Sequence, residues 1–283
     1  MKNILVAGAT GYLGKFLLKS LKNEYITHAL VRNTDKLKDI SSFVDKVIEA
    51  DVTNPESLTD ICNNIDIVIS SIGITRQKDG LTYMDVDYQA NANLLSEAKN
   101  AGVKKFIYIS VLNAEQMTDL KIIQAKIRFE NELKSSGINY LIIRPNGFFS
   151  DMKELLNMAK KGTIYLFADG EFKSNPIHGA DLAEFIIQNL DSSDTILEIG
   201  GPDILTQNEI AKMAFNSAEK KEKIVYIALW IKNIFLKFVR LFSGQKSYGP
   251  IEFFLTVMTQ DMVAPQFGTH HLSDFYKEKS NEL

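Results

Sequence analysis

The chain has 283 residues, 45% of them hydrophobic and 24% charged, the balance of an ordinary globular protein long enough to bury a large core without staples. A net charge of -3 argues against a protein built to coat nucleic acid, and one cysteine, Cys62, excludes an internal disulfide. No apolar run reaches the roughly 18 residues of a spanning helix, so no transmembrane segment is expected. The apolar stretch 4–7 is too short for a signal peptide and is interrupted by Gly8 and Gly11. A cytoplasmic protein is expected, with Cys62 reading as a small buried hydrophobe.

Apolar runs rich in strand formers alternate with helical spacing through the first two thirds. Strands are expected at 4–7, 25–31, 46–50, 65–70, 105–110 and 140–144. Between them, helices are expected at 12–21, 57–62, 85–100 and 122–135, with Gly102 and Gly137 as stops. Such strands, most followed by a helix, imply a parallel sheet covered on both faces. Beyond Pro145 the rhythm loosens. A helix at 181–190 has Asp181 as its expected N-cap, a short strand follows at 195–199, and Thr206-x-x-Glu209 has the form of a capping box opening a helix through Ala214. The last sixty or so residues are poorly periodic. With no repeat or linker, 1–283 reads as one α/β unit: a Rossmann-type, doubly wound parallel sheet, with 151–283 forming a small C-terminal lobe on the substrate side.

Gly8-Ala9-Thr10-Gly11-Tyr12-Leu13-Gly14 falls directly between the first strand and its helix. Gly8 permits a tight turn, Gly11 allows backbone to approach a pyrophosphate, and Gly14 lets helix and strand pack closely. The helix N-terminus offers N–H groups and partial positive charge to the phosphates. A glycine turn without a ligand is the bland alternative, disfavoured by this placement. At the end of the second strand stand Val31-Arg32-Asn33, without the acidic residue that would accept from the ribose hydroxyls of NAD. Arg32 suits a 2′-phosphate and so NADP(H), with NAD(H) as the lesser possibility; the alternative is an arginine solvated at a loop edge. Asp51-Val52 suits the adenine, and Ser70-Ser71-Ile72-Gly73 ends the fourth strand with residues small enough for close approach.

The stretches VAGATGYLGK, LVRN, Asp51-Val52, AGVKKFIYIS, the helix with Lys126, SGINYLIIRPNGFF and NPIHGADLAE resemble the atypical short-chain dehydrogenase/reductases of the NmrA-like, NAD(P)-binding group. The group mixes reductases, cofactor sensors and assembly factors, so membership alone fixes no activity. The resemblance implies a Tyr-x-x-x-Lys pair after the fifth strand and a serine near that strand's end. Lys126 matches the lysine and Ser110 the serine, but Ile122 stands where the tyrosine belongs. Independently of the family, Lys126 lies beside an apolar helical stripe and either snorkels or reaches a buried partner. The resemblance makes that partner the cofactor ribose; an acid/base role would require burial to lower its pKa. Ser110 bonds a substrate carbonyl or simply caps its strand. Pro145-Asn146-Gly147-Phe148-Phe149 ends the sixth strand, where backbone is expected along the nicotinamide and a phenylalanine either walls the site or packs in the core. His178 reads as structural, and His270-His271 lacks partners for a metal site, so none is expected.

The leading functional expectation is an NADP(H)-dependent oxidoreductase acting on an apolar, quinone-like or carbonyl small molecule. The second is a non-catalytic, cofactor-sensing regulator or assembly factor. Residues 224–242 read as a helix with Lys232, Asn233, Lys237 and Arg240 on one side and Ile231, Phe235 and Phe238 opposite, Trp230 at the edge. Its apolar face is expected to cover the pocket or core, with peripheral membrane or partner contact as the minority reading.

Overall fold

The computed structural model describes residues 1–37, 40–74, 80–193, 195–242 and 245–281, the side chains of 245–247 excepted. The chain divides into two compact units, Met1–Arg144 with Leu182–Leu197 and Pro145–Asp181 with Glu198–Leu283.

The first unit is built on the expected parallel strands: β1 (Asn3–Ala7), β2 (Ile26–Val31), β3 (Lys46–Glu49), β4 (Ile67–Ser70), β5 (Lys105–Ile109) and β6 (Asn139–Pro145). With β9 (Ile196–Ile199) they form a seven-stranded sheet in the order β3-β2-β1-β4-β5-β6-β9. All pairings from β3 through β6 are parallel. The α/β, Rossmann-type expectation is borne out. The order reverses between β1 and β4, and in sheets of this kind ligands sit beyond the carboxyl ends of the strands at such a switch point. Helices α1 (Tyr12–Leu21), α2 (Asn91–Asn100) and α3 (Lys121–Ser135) make the crossovers. Leu5, Leu30, Val68, Leu95, Phe106, Phe129 and Ile142 belong to one buried cluster. Each such side chain stabilises the fold by about 1.5–3 kcal/mol. Cys62 is buried, and burial with the nearby Glu97 charge pushes its thiol up to about 12.

Two expected helices differ. The one at 57–62 shrinks to a single 3₁₀ turn, Pro55–Leu58, where Asn54 accepts the Glu56 amide; left-handed Asp60 and Asn64 prevent propagation. The one at 85–100 begins as a π-helix, Met84–Ala90, before continuing as α2.

In the second unit, α4 (Phe149–Lys160), α6 (Gln207–Ser217) and α9 (Leu272–Asn281) enclose Phe149, Leu155, Leu156, Phe215, Leu272 and Tyr276. β7 (Ile164–Phe167) pairs in parallel with β11 (Ile224–Ile227), and β8 (Lys173–Ser174) pairs antiparallel with β10 (Leu205–Thr206). The Thr206–Glu209 capping box forms in both directions. Asp181 is not the N-cap: α5 (Gly179–Gln188) starts earlier, and the Asp181 carboxylate instead accepts from the backbone and ring of His270. Three helices, α7 (Leu229–Phe242), α8 (Gln245–Val257) and α9, lie among the described residues of the stretch read as poorly periodic. The segment 224–242 is thus part strand, because Ile224–Ile227 finds the edge of β7.

Candidate functional site

The first unit places its glycine loop at the switch point. Gly8 follows β1 at a φ of 84°, a conformation only glycine adopts at ease. Its carbonyl accepts the Gly11 amide at 2.9 Å, closing the loop. The Ser71 amide and hydroxyl, beyond β4, both donate to the Ala7 carbonyl at 3.0 and 3.1 Å. A side chain on Gly8 would strike Ser71, and one on Gly14 would sit 2.2 Å from the Gly8 carbonyl oxygen, so these two glycines are structural. Gly11 differs. A Cβ there would meet only the Gly8 carbonyl oxygen, at 3.1 Å. The helix it caps has no side-chain cap and no acid in its first turn. An N-terminus of that kind fits an anionic phosphate. Around it, Thr10 and Tyr12 are half-buried, Leu13 is buried, and Tyr12 stacks edge-on against Phe16.

Arg32 is exposed just past β2. Asp51, just past β3, is near enough that the Arg32 charge helps hold its carboxyl below the usual range. Burial opposes this shift, and the Thr53 amide and hydroxyl are its principal cause. Asn33 accepts the Asp35 amide and serves the turn, while the Val52 carbonyl accepts from Asn93. Ser70 is wholly buried and donates to Asn91 at 2.6 Å, and the Asn91 amide returns to the Ile72 carbonyl. Ser70 and Ile72 therefore shape the end of β4 from behind, leaving Ser71 and Gly73 nearer the surface.

Lys126 has a buried partner, as one of the two readings required, and that partner is Asp87. The ammonium lies 3.0 Å from Oδ1 of a carboxylate with no exposure, while Oδ2 accepts the Ile74 amide. The Tyr108 hydroxyl lies beside the ammonium, which is 5.5 Å from the Tyr108 ring centre. Burial works against the charged lysine, yet Tyr108 and Asp87 outweigh it and raise Lys126 above its ordinary range. That direction is opposite to the lowered pKa an acid/base role would require, and the ammonium is seated against the Asp87 carboxylate. Gly73 covers this pair, since a Cβ on it would meet Asp87 Oδ1 at 2.7 Å and Lys126 Nζ at 3.1 Å. Asp87 and Tyr108 were missed in the sequence. Asp87 and Asn91, four residues apart on a buried face, were the available signal. Tyr108 is one polar tip in an apolar strand and gave none.

Ile122, in the tyrosine's place, is buried. Ser110 is buried too, and its hydroxyl faces Glu130, the carboxylate that pairs with Arg144 at 2.7 Å. That setting favours the strand-end reading of Ser110 over substrate contact.

In the second unit, Pro145 is buried, and the Asn146 side chain is committed internally, donating to Asn175 and Met262 and accepting the Gly147 amide. The Asn146 side chain is thus taken up within the unit, while the expectation for this turn concerned its backbone. Phe149 is core, packed on His178 and Phe275; Phe148 stays half-exposed. His178 accepts the Ala180 amide, a structural role. Among the described residues no group of three or more potential ligands could hold a metal.

A parallel sheet with a glycine cradle at its switch point defines a dinucleotide-binding protein. The NAD(P)H-binding family model matches residues 8–193, and the chain belongs to that family. It is 29% identical over 300 residues to a chloroplastic divinyl chlorophyllide a 8-vinyl-reductase of Cucumis sativus, spanning 95% of this chain and 71% of that protein. It is 28% identical over 244 residues to a photosystem II assembly factor of Guillardia theta, spanning 84% and 76%. Among solved structures, an NADPH-dependent quinone oxidoreductase of Escherichia coli complexed with NADPH superposes with a TM-score of 0.71 at 22% identity, over 98% of this chain and all of that one. That likeness is one of fold, and it agrees with the resemblance drawn from the motifs.

Proposed function

We propose that this is a cytoplasmic NADP(H)-dependent reductase of an apolar, conjugated small molecule, quinone-like or carbonyl. The observation that carries the reading is Lys126, held as a cation under Gly73 at the end of β4, in the same unit as the phosphate cradle. NADP(H), when bound, supplies hydride. The chain's part is to bind the phosphates at the α1 N-terminus, to set Arg32 toward a 2′-phosphate, and to direct a fixed ammonium at ribose hydroxyls or developing negative charge. Ile122 removes the usual hydroxyl proton donor, so the acceptor is one that spreads charge over a conjugated system and takes its proton from water. The vinyl-reductase relative adds a conjugated carbon–carbon double bond to the acceptors worth testing. The experiment is NADPH oxidation against quinones, carbonyls and a vinyl-bearing tetrapyrrole. Turnover with any of them supports the proposal. Binding without turnover across the panel favours a cofactor-sensing or assembly protein, the reading that Ile122 and the assembly-factor relative support.

Cofactor preference gives a separate test. Arg32→Ala is expected to weaken NADPH by about 1–3 kcal/mol, the worth of a charge-assisted hydrogen bond. NADH binding should barely change. Equal weakening of both in calorimetry means that Arg32 does not read the phosphate.

A further inference from the structure

α7 is turned the opposite way from the sequence expectation. Its cationic side faces the protein: Lys232 donates to Thr259 at 2.7 Å, and Arg240 pairs with Glu252, a residue of α8 that is itself buried. Leu236 is the one buried apolar residue of the helix. The apolar face points outward. Trp230 is 64% exposed, Phe238 64%, Leu241 75% and Phe242 70%, with Ile231, Ile234 and Phe235 also exposed between them. Ile231, Ile234, Phe235, Phe238 and Phe242 share one shallow surface depression. All of these come from a single helix, and among the described residues no second element lines the depression, so the surface is an open apolar ridge. Contiguous apolar surface on this scale marks an interaction site.

Charge identifies what covers it. Between Glu222 and Glu252 the sequence has no acidic residue, but it has Lys223, Lys232, Lys237, Arg240 and Lys246. Of these, Lys237 stands exposed on α7 itself, while Lys232 bonds Thr259 and Arg240 is answered by Glu252. A second copy seated on the same ridge would offer Lys237 no acid from its own α7. An anionic bilayer surface complements both features: its headgroups meet exposed Lys237, and the apolar ridge enters the acyl boundary. Lys237, exposed and adjacent to Trp230 and Leu241 on the helical wheel, stands at the boundary between them. The chain's only tryptophan lies on this edge, where an amphipathic ring suits a membrane interface.

We propose that α7 is an interfacial helix that docks this protein on anionic membrane surfaces, apolar ridge down. No helix among the described residues is long and apolar enough to cross a membrane, so the contact is peripheral. The inference is independent of the reductase reading.

The test is co-sedimentation with phosphatidylglycerol/phosphatidylcholine vesicles and with pure phosphatidylcholine vesicles. It compares the full chain with Lys237→Gln and with the triple variant Trp230→Ser, Phe238→Ser, Phe242→Ser. These side chains are exposed, so folding should persist, which a thermal melt and calorimetric NADPH titration check. Lys232 and Arg240 are left intact because they hold α8. The expected result is binding to the anionic vesicles, weaker on neutral ones, reduced by salt and by Lys237→Gln, and at least about tenfold weaker in the folded triple variant. Failure of the wild-type chain to bind either vesicle overturns the proposal. So does equal binding by the folded triple variant. A wild-type dimer in analytical ultracentrifugation that the triple variant dissolves, without vesicle binding, overturns it in favour of a second copy.

Discussion

Gly11→Val is expected to abolish NADPH binding while leaving the protein folded. The backbone at Gly11 is extended, with φ −73° and ψ 175°, a region open to any residue. A β-carbon would meet only the Gly8 carbonyl oxygen at 3.1 Å, which a small loop adjustment relieves. The melting temperature should therefore fall by only a few degrees, corresponding to about 1 kcal/mol in a chain of this size. The valine methyl groups, however, would occupy the approach of the phosphates to the α1 amides. Losing two charge-assisted hydrogen bonds at about 1.5–3 kcal/mol each takes affinity beyond the reach of ordinary calorimetry. Gly14→Val supplies the contrast: its side chain would overlap the Gly8 carbonyl and the Ala9 backbone, so folding itself should fail. Normal NADPH binding by Gly11→Val would refute the proposed loop geometry.

Why the loop was legible and the lysine's surroundings were not follows from how each is encoded. Gly8, Gly11 and Gly14 are local: each is required by a backbone approach within the same strand–turn–helix. The apolar runs of β1, β4 and β5 likewise declare themselves as buried parallel strands. Thr206 and Glu209 are three residues apart and satisfy each other's backbone. By contrast, Asp87 and Lys126 meet only in the folded unit, 39 residues apart in a sequence that marks neither as paired. The π-helix at Met84–Ala90 escapes a periodicity search because a wider turn changes spacing for only a few residues. It also carries Asp87 to the end of β4, an instance of an irregular helical turn placing a polar group. For α7 the amphipathic pattern was read correctly, but a helical wheel gives two faces without saying which is inward. The pairing of Arg240 with buried Glu252 decides it, and that partner lies in the next helix.

Lys126→Ala is expected to destabilise the protein by about 3–5 kcal/mol at neutral pH, the usual cost of stranding one member of a buried ion pair. Asp87 has no exposure, and burial already pushes its carboxyl above the ordinary range, with Lys126 and the Ile74 amide offsetting only part. Without the lysine it rises further. A carboxyl whose folded pKa exceeds its unfolded value costs stability when ionised, so the deficit should shrink as pH falls toward the unfolded carboxyl value of about 4 and grow to its full size above the raised folded value. Stability loss alone would not distinguish a structural lysine from a functional one. The double variant Lys126→Met with Asp87→Asn separates them. It removes both charges, and the asparagine oxygen still accepts from Ile74, so most of the stability should return. Turnover should not return, and NADPH affinity should stay weakened, because the cation under Gly73 is gone. A double variant that melts and reduces substrate like the wild-type chain would show that Lys126 does no more than neutralise Asp87, and it would remove the observation on which the reductase reading rests.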